Sequence, residues 1–193
     1  MPLFEDATLA EARTIIARYP AGRERSAVMP LLYLAQSIEG RVTRDGLREV
    51  AALLDVTTAE VEAVGSFYTM LRLRPTGQHV VSVCTNLSCA LRGADDVYEA
   101  AHQAAGIPHG QEVSEDEVIT LHEEECLGAC EKAPVVSIDF VYHDDVTPER
   151  MGELIRTLQA GEIPAPSRGE PMRDFRAASR LLAGLPPQQE VGA

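Results

Sequence analysis

The hydrophobic period of the chain changes near residue 75. Before that point apolar residues recur at helical spacing. Leu9, Ala12, Ile16 and Tyr19 form one stripe over residues 8–19, as a helix that buries one face requires. Residues 25–40, RSAVMPLLYLAQSIEG, predict a second helix. Pro30 belongs near its start, because an interior proline removes a hydrogen bond and clashes with the preceding turn. Gly40 is the expected stop. A third helix is predicted over 43–55 with Thr43 as N-cap. A fourth, over 57–70, opens with Thr57 and Glu60 in capping-box spacing, where each side chain satisfies the other's backbone donor. Four short amphipathic helices joined by short loops make a small bundle. Pro75 and Gly77 in RLRPTGQ (72–78) then interrupt the pattern.

Beyond this break the period shortens. HVVSVC (79–84) is short, β-branched and preceded by a turn, so it reads as a buried strand. Residues 93–106 predict a helix ending at Gly106. EVITLHE (117–123) and PVVSID (134–139) predict two further strands. The segment 147–161 predicts a helix with Thr147 as N-cap, Pro148 at N1 and Glu149 in the first turn. Strand, helix, strand, strand, helix is a modest α/β sandwich. The expected class is therefore α+β: a helical bundle over 1–74, then an α/β domain over 75–161. The tail, 162–193, is rich in Pro and Gly and encloses one candidate helix over 173–184. That helix is too weak to fold alone, so the tail is expected to lie on a neighbour or to be partly disordered.

Composition narrows the function classes. The net charge is −13, which repels phosphates and argues against nonspecific nucleic-acid binding. The longest nearly apolar run, AVMPLLYLA (27–35), is half the length of a membrane span, so no direct membrane insertion is expected. The first residues lack the basic segment and apolar run of a secretory signal. That points to a reducing cytoplasm, where structural disulfides are rare.

The chain has four cysteines in two pairs, Cys84 and Cys89 (C-x4-C), and Cys126 and Cys130 (C-x3-C). Each pair follows a predicted strand, so adjacent strands would bring both loops to one end of the sheet. Four converging thiolates in a reducing compartment bind zinc or an iron–sulfur cluster. Zinc knuckles usually use a tight C-x2-C, whereas the wider loops suit a two-iron core with one pair per iron. The four-iron run C-x2-C-x2-C is absent. The nearest histidine, His122, sits at an expected strand position and reads as ordinary surface or core. Thr85, Asn86 and Ser88 offer small polar groups near sulfur, and Gly128 permits close backbone approach. Glu123, Glu124 and Glu125 would lower the cluster potential if they approach iron; otherwise they form an exposed acidic turn. Zinc and redox-active thiols remain open on spacing alone.

SAVMPLLYLAQ, VGSFYTM, PTG followed by CTNLSC, and ECLGACEKAPVV stand in this order. Together they resemble the small [2Fe–2S] subunit of NADH:quinone oxidoreductase, respiratory complex I, from about Tyr19 to Gly161. Arg41 departs from the aromatic residue usual after the glycine of the second helix. The resemblance implies a thioredoxin-like ferredoxin fold for the second domain. It implies one [2Fe–2S] cluster on Cys84, Cys89, Cys126 and Cys130. It also implies a flavin-containing NADH-binding partner that carries FMN and NADH, within the peripheral arm of a complex on the inner face of the cell membrane.

Thiol–disulfide chemistry is not implied, since that needs C-x-x-C. Neither a G-x-G-x-x-G fingerprint after a strand nor a P-loop is present, so the isolated chain reads as an electron carrier without a substrate site. The same module would serve an NAD-linked hydrogenase or formate dehydrogenase. A zinc-stabilised assembly protein is the reading from a different class.

Overall fold

A computed structural model describes residues 3–186. These residues form two compact units, one of residues 3–75 with 176–186 and one of residues 76–175. The α+β class expected from the sequence holds.

The first unit contains α1 (Asp6–Ile16), α2 (Val28–Glu39), α3 (Arg44–Leu54), α4 (Thr58–Phe67) and most of a late helix, numbered α8 below. Its centre is α2, in which six consecutive residues, Leu31 to Gln36, are buried. A helix buried on nearly every side must be surrounded by others, and α1, α3 and α4 supply that surround. The expected caps form. Thr43 accepts from the Gly46 N–H, and Thr57 and Glu60 complete the capping box. Gly40 ends α2 at φ 74°, a left-handed conformation that glycine adopts without penalty. Pro30 sits in the first turn of α2. The first helix stops at Ile16, three residues before the predicted end, in a turn leading to Pro20.

The second unit contains β1 (His79–Cys84), α5 (Leu87–Ala90), α6 (Ala94–Ala105), β2 (Ile119–Glu124), β3 (Val136–Ile138), β4 (Val141–His143) and α7 (Pro148–Gln159). The strand order is β2-β1-β3-β4. Parallel strands need a long crossover, and α6 lies in the connection between β1 and its parallel neighbour β2. The other two pairings are antiparallel. Val81 lies beside Leu121 on β2 and Ile138 on β3. This apolar face carries α6 and α7, whose Val97, Ala101, Met151, Leu154, Ile155 and Leu158 complete the core.

Two elements differ from the sequence reading. The strand predicted over 134–139 is a hairpin, because Asp139 and Phe140 both adopt positive φ (49° and 68°) and turn the chain into β4. Such turns normally carry Asn or Gly. Here the Asp139 carboxylate accepts from the Val80 N–H at 2.8 Å and lies 2.6 Å from His79 Nδ1, fully buried. The Phe140 ring packs 5.4 Å from Phe175. These tertiary contacts hold a turn that the local sequence does not announce. The short helix α5 was also unpredicted; it occupies the loop between Cys84 and α6.

The tail is divided. Residues 162–175 belong to the second unit, and α8 (Phe175–Leu182) carries the chain into the first. Ala183 and Leu185 are buried in the helical core. This part of the tail packs on the chain's own helices. The last seven residues of that predicted tail lie outside the described residues.

Candidate metal centre

In-register parallel pairing of Cys84 with Glu124 makes the loops after β1 and β2 leave the sheet at the same end. The carboxyl end of parallel strands is where α/β sheets usually hold ligands. Cys84 is the last residue of β1 and Cys89 lies in α5; both are buried. Cys126 and Cys130 lie in the second loop, Cys130 opening a 3-10 turn, and both are exposed.

The two loops are tied together by their own polar groups. The Thr85 N–H donates to the Glu124 carbonyl at 3.1 Å. The Thr85 hydroxyl donates to Glu123 at 2.7 Å, and the Asn86 amide to Glu125 at 3.5 Å. Asn86 also accepts from the Leu87 N–H at 2.7 Å as N-cap of α5. Thr85 and Asn86 therefore direct their side chains to the acidic triplet, not to sulfur as the sequence suggested. Glu123 and Glu124 end β2, and Glu123 and Glu125 are exposed. His122 lies partly exposed, 3.9 Å from Glu124.

Backbone groups surround the sulfurs. Cys84 Sγ lies 4.0 Å from the Glu125 carbonyl, as a thiol donor. The Gly128 N–H donates to Cys126 Sγ at 3.4 Å, a contact type that stabilises negative charge on a cluster ligand. Gly128 has φ 73°, and no atom lies within 4 Å of where its Cβ would stand. Its glycine is thus demanded by conformation, whereas the sequence reading had emphasised close approach.

The Cys89 thiol is pushed up to about 11, chiefly by burial and next by the hydrogen bond it shares with Cys84. The Val135 backbone acts in the opposite sense, and charge on Cys84 or Cys130 would raise the value further. Cys84 and Cys130 thus both lie close enough to act on Cys89. Val135 was missed by sequence reasoning, since a backbone group has no residue-type signal. So was Tyr142, whose hydroxyl donates to the Leu127 carbonyl at 2.8 Å within the second cysteine loop.

This donor set fits a two-iron group. All four thiols are free, two anchored inside and two at the surface, with an amide already aimed at one sulfur. Among the described residues, no three His, Cys, Asp or Glu side chains are grouped tightly enough for one metal ion.

The family model for thioredoxin-like [2Fe-2S] ferredoxins matches residues 12–159. An NADH-quinone oxidoreductase subunit from Mycobacterium tuberculosis is 46% identical over 179 residues, covering 93% of this chain and 70% of that protein. The subunit of the same name from Rickettsia bellii is 40% identical over 157 residues, covering 81% of this chain and 93% of that protein. Among solved structures, an NAD+-reducing [NiFe]-hydrogenase shares the fold with TM-score 0.61 at 21% identity. That match spans 71% of this chain and 22% of the hydrogenase chain. The chain belongs to the thioredoxin-like [2Fe-2S] ferredoxin family, alongside proteins named as subunits of NADH-quinone oxidoreductase.

Proposed function

We infer that the chain is the electron-transfer subunit of an NADH:quinone oxidoreductase, with one [2Fe–2S] cluster on Cys84, Cys89, Cys126 and Cys130. The observation that supports this reading is that the two cysteine-bearing loops leave the same end of the sheet and are tied to each other by Thr85 and Asn86. The names of the relatives at 40–46% identity support it. When bound, the cluster supplies a one-electron redox couple between a flavin and later acceptors. The protein sets its position and potential. Cys84 and Cys89 anchor the inner side, and the Cys126–Cys130 loop leaves the outer side at the surface, where a partner's flavin can approach. FMN and NADH belong on that NADH-oxidising partner, within the peripheral arm at the inner face of the membrane. No helix among the described residues is long and apolar enough to cross a membrane.

Leu87 and Leu91 beside the site are 69% and 79% exposed. Phe67 in the helical unit is 77% exposed and meets Tyr68 edge-on at 5.0 Å. Exposed apolar side chains of this size suit protein contacts. The expected result of anaerobic purification is iron and acid-labile sulfide in equal amounts, with a paramagnetic signal on reduction. Zinc without sulfide would overturn the reading. The hydrogenase fold likeness keeps a diaphorase role as the second reading, and the enzyme that co-purifies with the chain separates the two.

A further inference from the structure

The second cysteine loop is gripped from outside by residues that the cluster site does not itself contain. Tyr142 on β4 donates its hydroxyl to the Leu127 carbonyl at 2.8 Å. The Arg168 guanidinium lies over the Tyr142 ring, 4.9 Å from its centre. It also pairs with Asp144 at 2.6 Å and with Glu131, the neighbour of Cys130, at 3.9 Å. The strand of tail that carries Arg168 is itself fastened. Its Ser167 N–H donates to the Tyr142 carbonyl at 2.9 Å, and Ser167 Oγ accepts from the Asp144 N–H at 2.8 Å. On the loop's other flank the Asp145 N–H donates to the Lys132 carbonyl at 2.9 Å.

We propose that Tyr142 and Arg168 form a clamp that positions the Cys126–Cys130 loop on the cluster and sets how firmly its outer iron is held. The proposal rests on the four-cysteine reading. Tyr142 fixes the loop through a backbone carbonyl between the two cysteines, so the grip acts on both sulfurs without a ligand bond. Arg168 fixes Tyr142 by stacking on its ring, and the geometry suits guanidinium because the group is planar and weakly hydrated. Ion pairs to Asp144 and Glu131 hold that plane in place. Both are positioning residues, and neither supplies a ligand.

The experiment uses the full-length, cluster-loaded chain and the variants Tyr142→Phe, Arg168→Met and Arg168→Lys. Arg150→Met serves as a charge control, since Arg150 pairs with Glu153 on α7. Iron loss to a chelator, reduction potential and the paramagnetic signal of the reduced cluster are measured together. Tyr142→Phe and Arg168→Met are expected to lose iron about three- to tenfold faster, as removal of one ordinary hydrogen bond implies. Both should shift the potential and alter the signal, with Arg168→Lys recovering part of the effect. Tyr142→Phe carries most weight because it changes no charge.

Wild-type behaviour in Tyr142→Phe and Arg168→Met would overturn the clamp. So would an effect of Arg168→Met that Arg150→Met reproduces. A parent chain without iron and sulfide would sink the functional reading instead. In that event hydrogen exchange of amides 127–130 in the metal-free chain judges the clamp: faster exchange in Tyr142→Phe sustains it, and unchanged exchange removes it.

Discussion

His143, the last residue of β4, is buried. Its pKa is lowered to about 4, first by burial and then by the nearby Arg150 charge, with Asp144 acting in the opposite sense. A histidine whose folded pKa lies below its unfolded value contributes stability that is present above about pH 6.5 and lost as pH falls toward 4. Protons then bind the unfolded chain in preference. Replacement by an uncharged residue removes this sensitivity. His143→Gln should therefore gain on the parent by about 2 kcal/mol between pH 7 and pH 4, whatever its stability at neutrality. Denaturant midpoints at both pH values check this, and parallel acid profiles would refute it. The burial behind the shift could not be read from the sequence, because β4 itself was not predicted there. The four cysteines could be proposed as ligands for the opposite reason: that proposal draws on residue type and spacing, with no dependence on tertiary context.

Elements with strong local signals formed as the sequence implied. Thr43, Thr57 with Glu60, and Thr147 with Pro148 each cap the helix they were expected to start. Elements held by distant contacts were missed or underrated, and α8 is the clearest. Its own eight residues would not hold a helix in water, yet the first unit fixes its second half and its C-terminal end. Arg180 forms a two-point ion pair with Glu11 and donates to the Pro186 carbonyl at 2.8 Å. Ser179 meets Gln36 at 3.0 Å, fully buried. After the last turn, the Gly184 N–H donates to the Leu181 carbonyl and the Leu185 N–H to the Arg180 carbonyl, the paired closure of a Schellman end. Arg18 then donates to the carbonyls of Ala183 and Gly184. Leu185 seals this arrangement at 7% exposure. Leu185→Ala should cost about 2 kcal/mol in the helical unit, the low end for a buried leucine at a boundary. Urea unfolding followed by far-ultraviolet circular dichroism measures the loss, and the cluster absorbance should stay unchanged. No loss of stability would mean that the tail contributes nothing to the bundle.

At the scale of the whole chain, sequence order and structural units do not coincide. The sequence divided the chain at residue 74 and set the tail apart, whereas the helical unit closes with residues from the far end. Local patterning shows where a period changes, but it does not show which core a remote segment joins. This alters how the roles of the units are separated. Removing residues 1–70 alone would strip α8 of its core and leave Ala183 and Leu185 exposed, inviting aggregation unrelated to docking. The fragment 76–175 follows the structural division instead. It retains both cysteine loops, the Tyr142–Arg168 clamp, the buried His79–Asp139 pair and the Phe140–Phe175 contact. Every contact described around the metal centre lies within it. The fragment should therefore hold iron and sulfide in the ratio of the full chain, with the same signal on reduction. Loss of the cluster from the fragment alone would show that the helical unit contributes to retention. Partner binding is read separately, by co-purification with the proposed flavin-containing partner. If the exposed Phe67 and Tyr68 mark a docking face, the fragment binds that partner much more weakly than the full chain. Equal binding would assign docking to the cluster end, where Leu87 and Leu91 stand exposed.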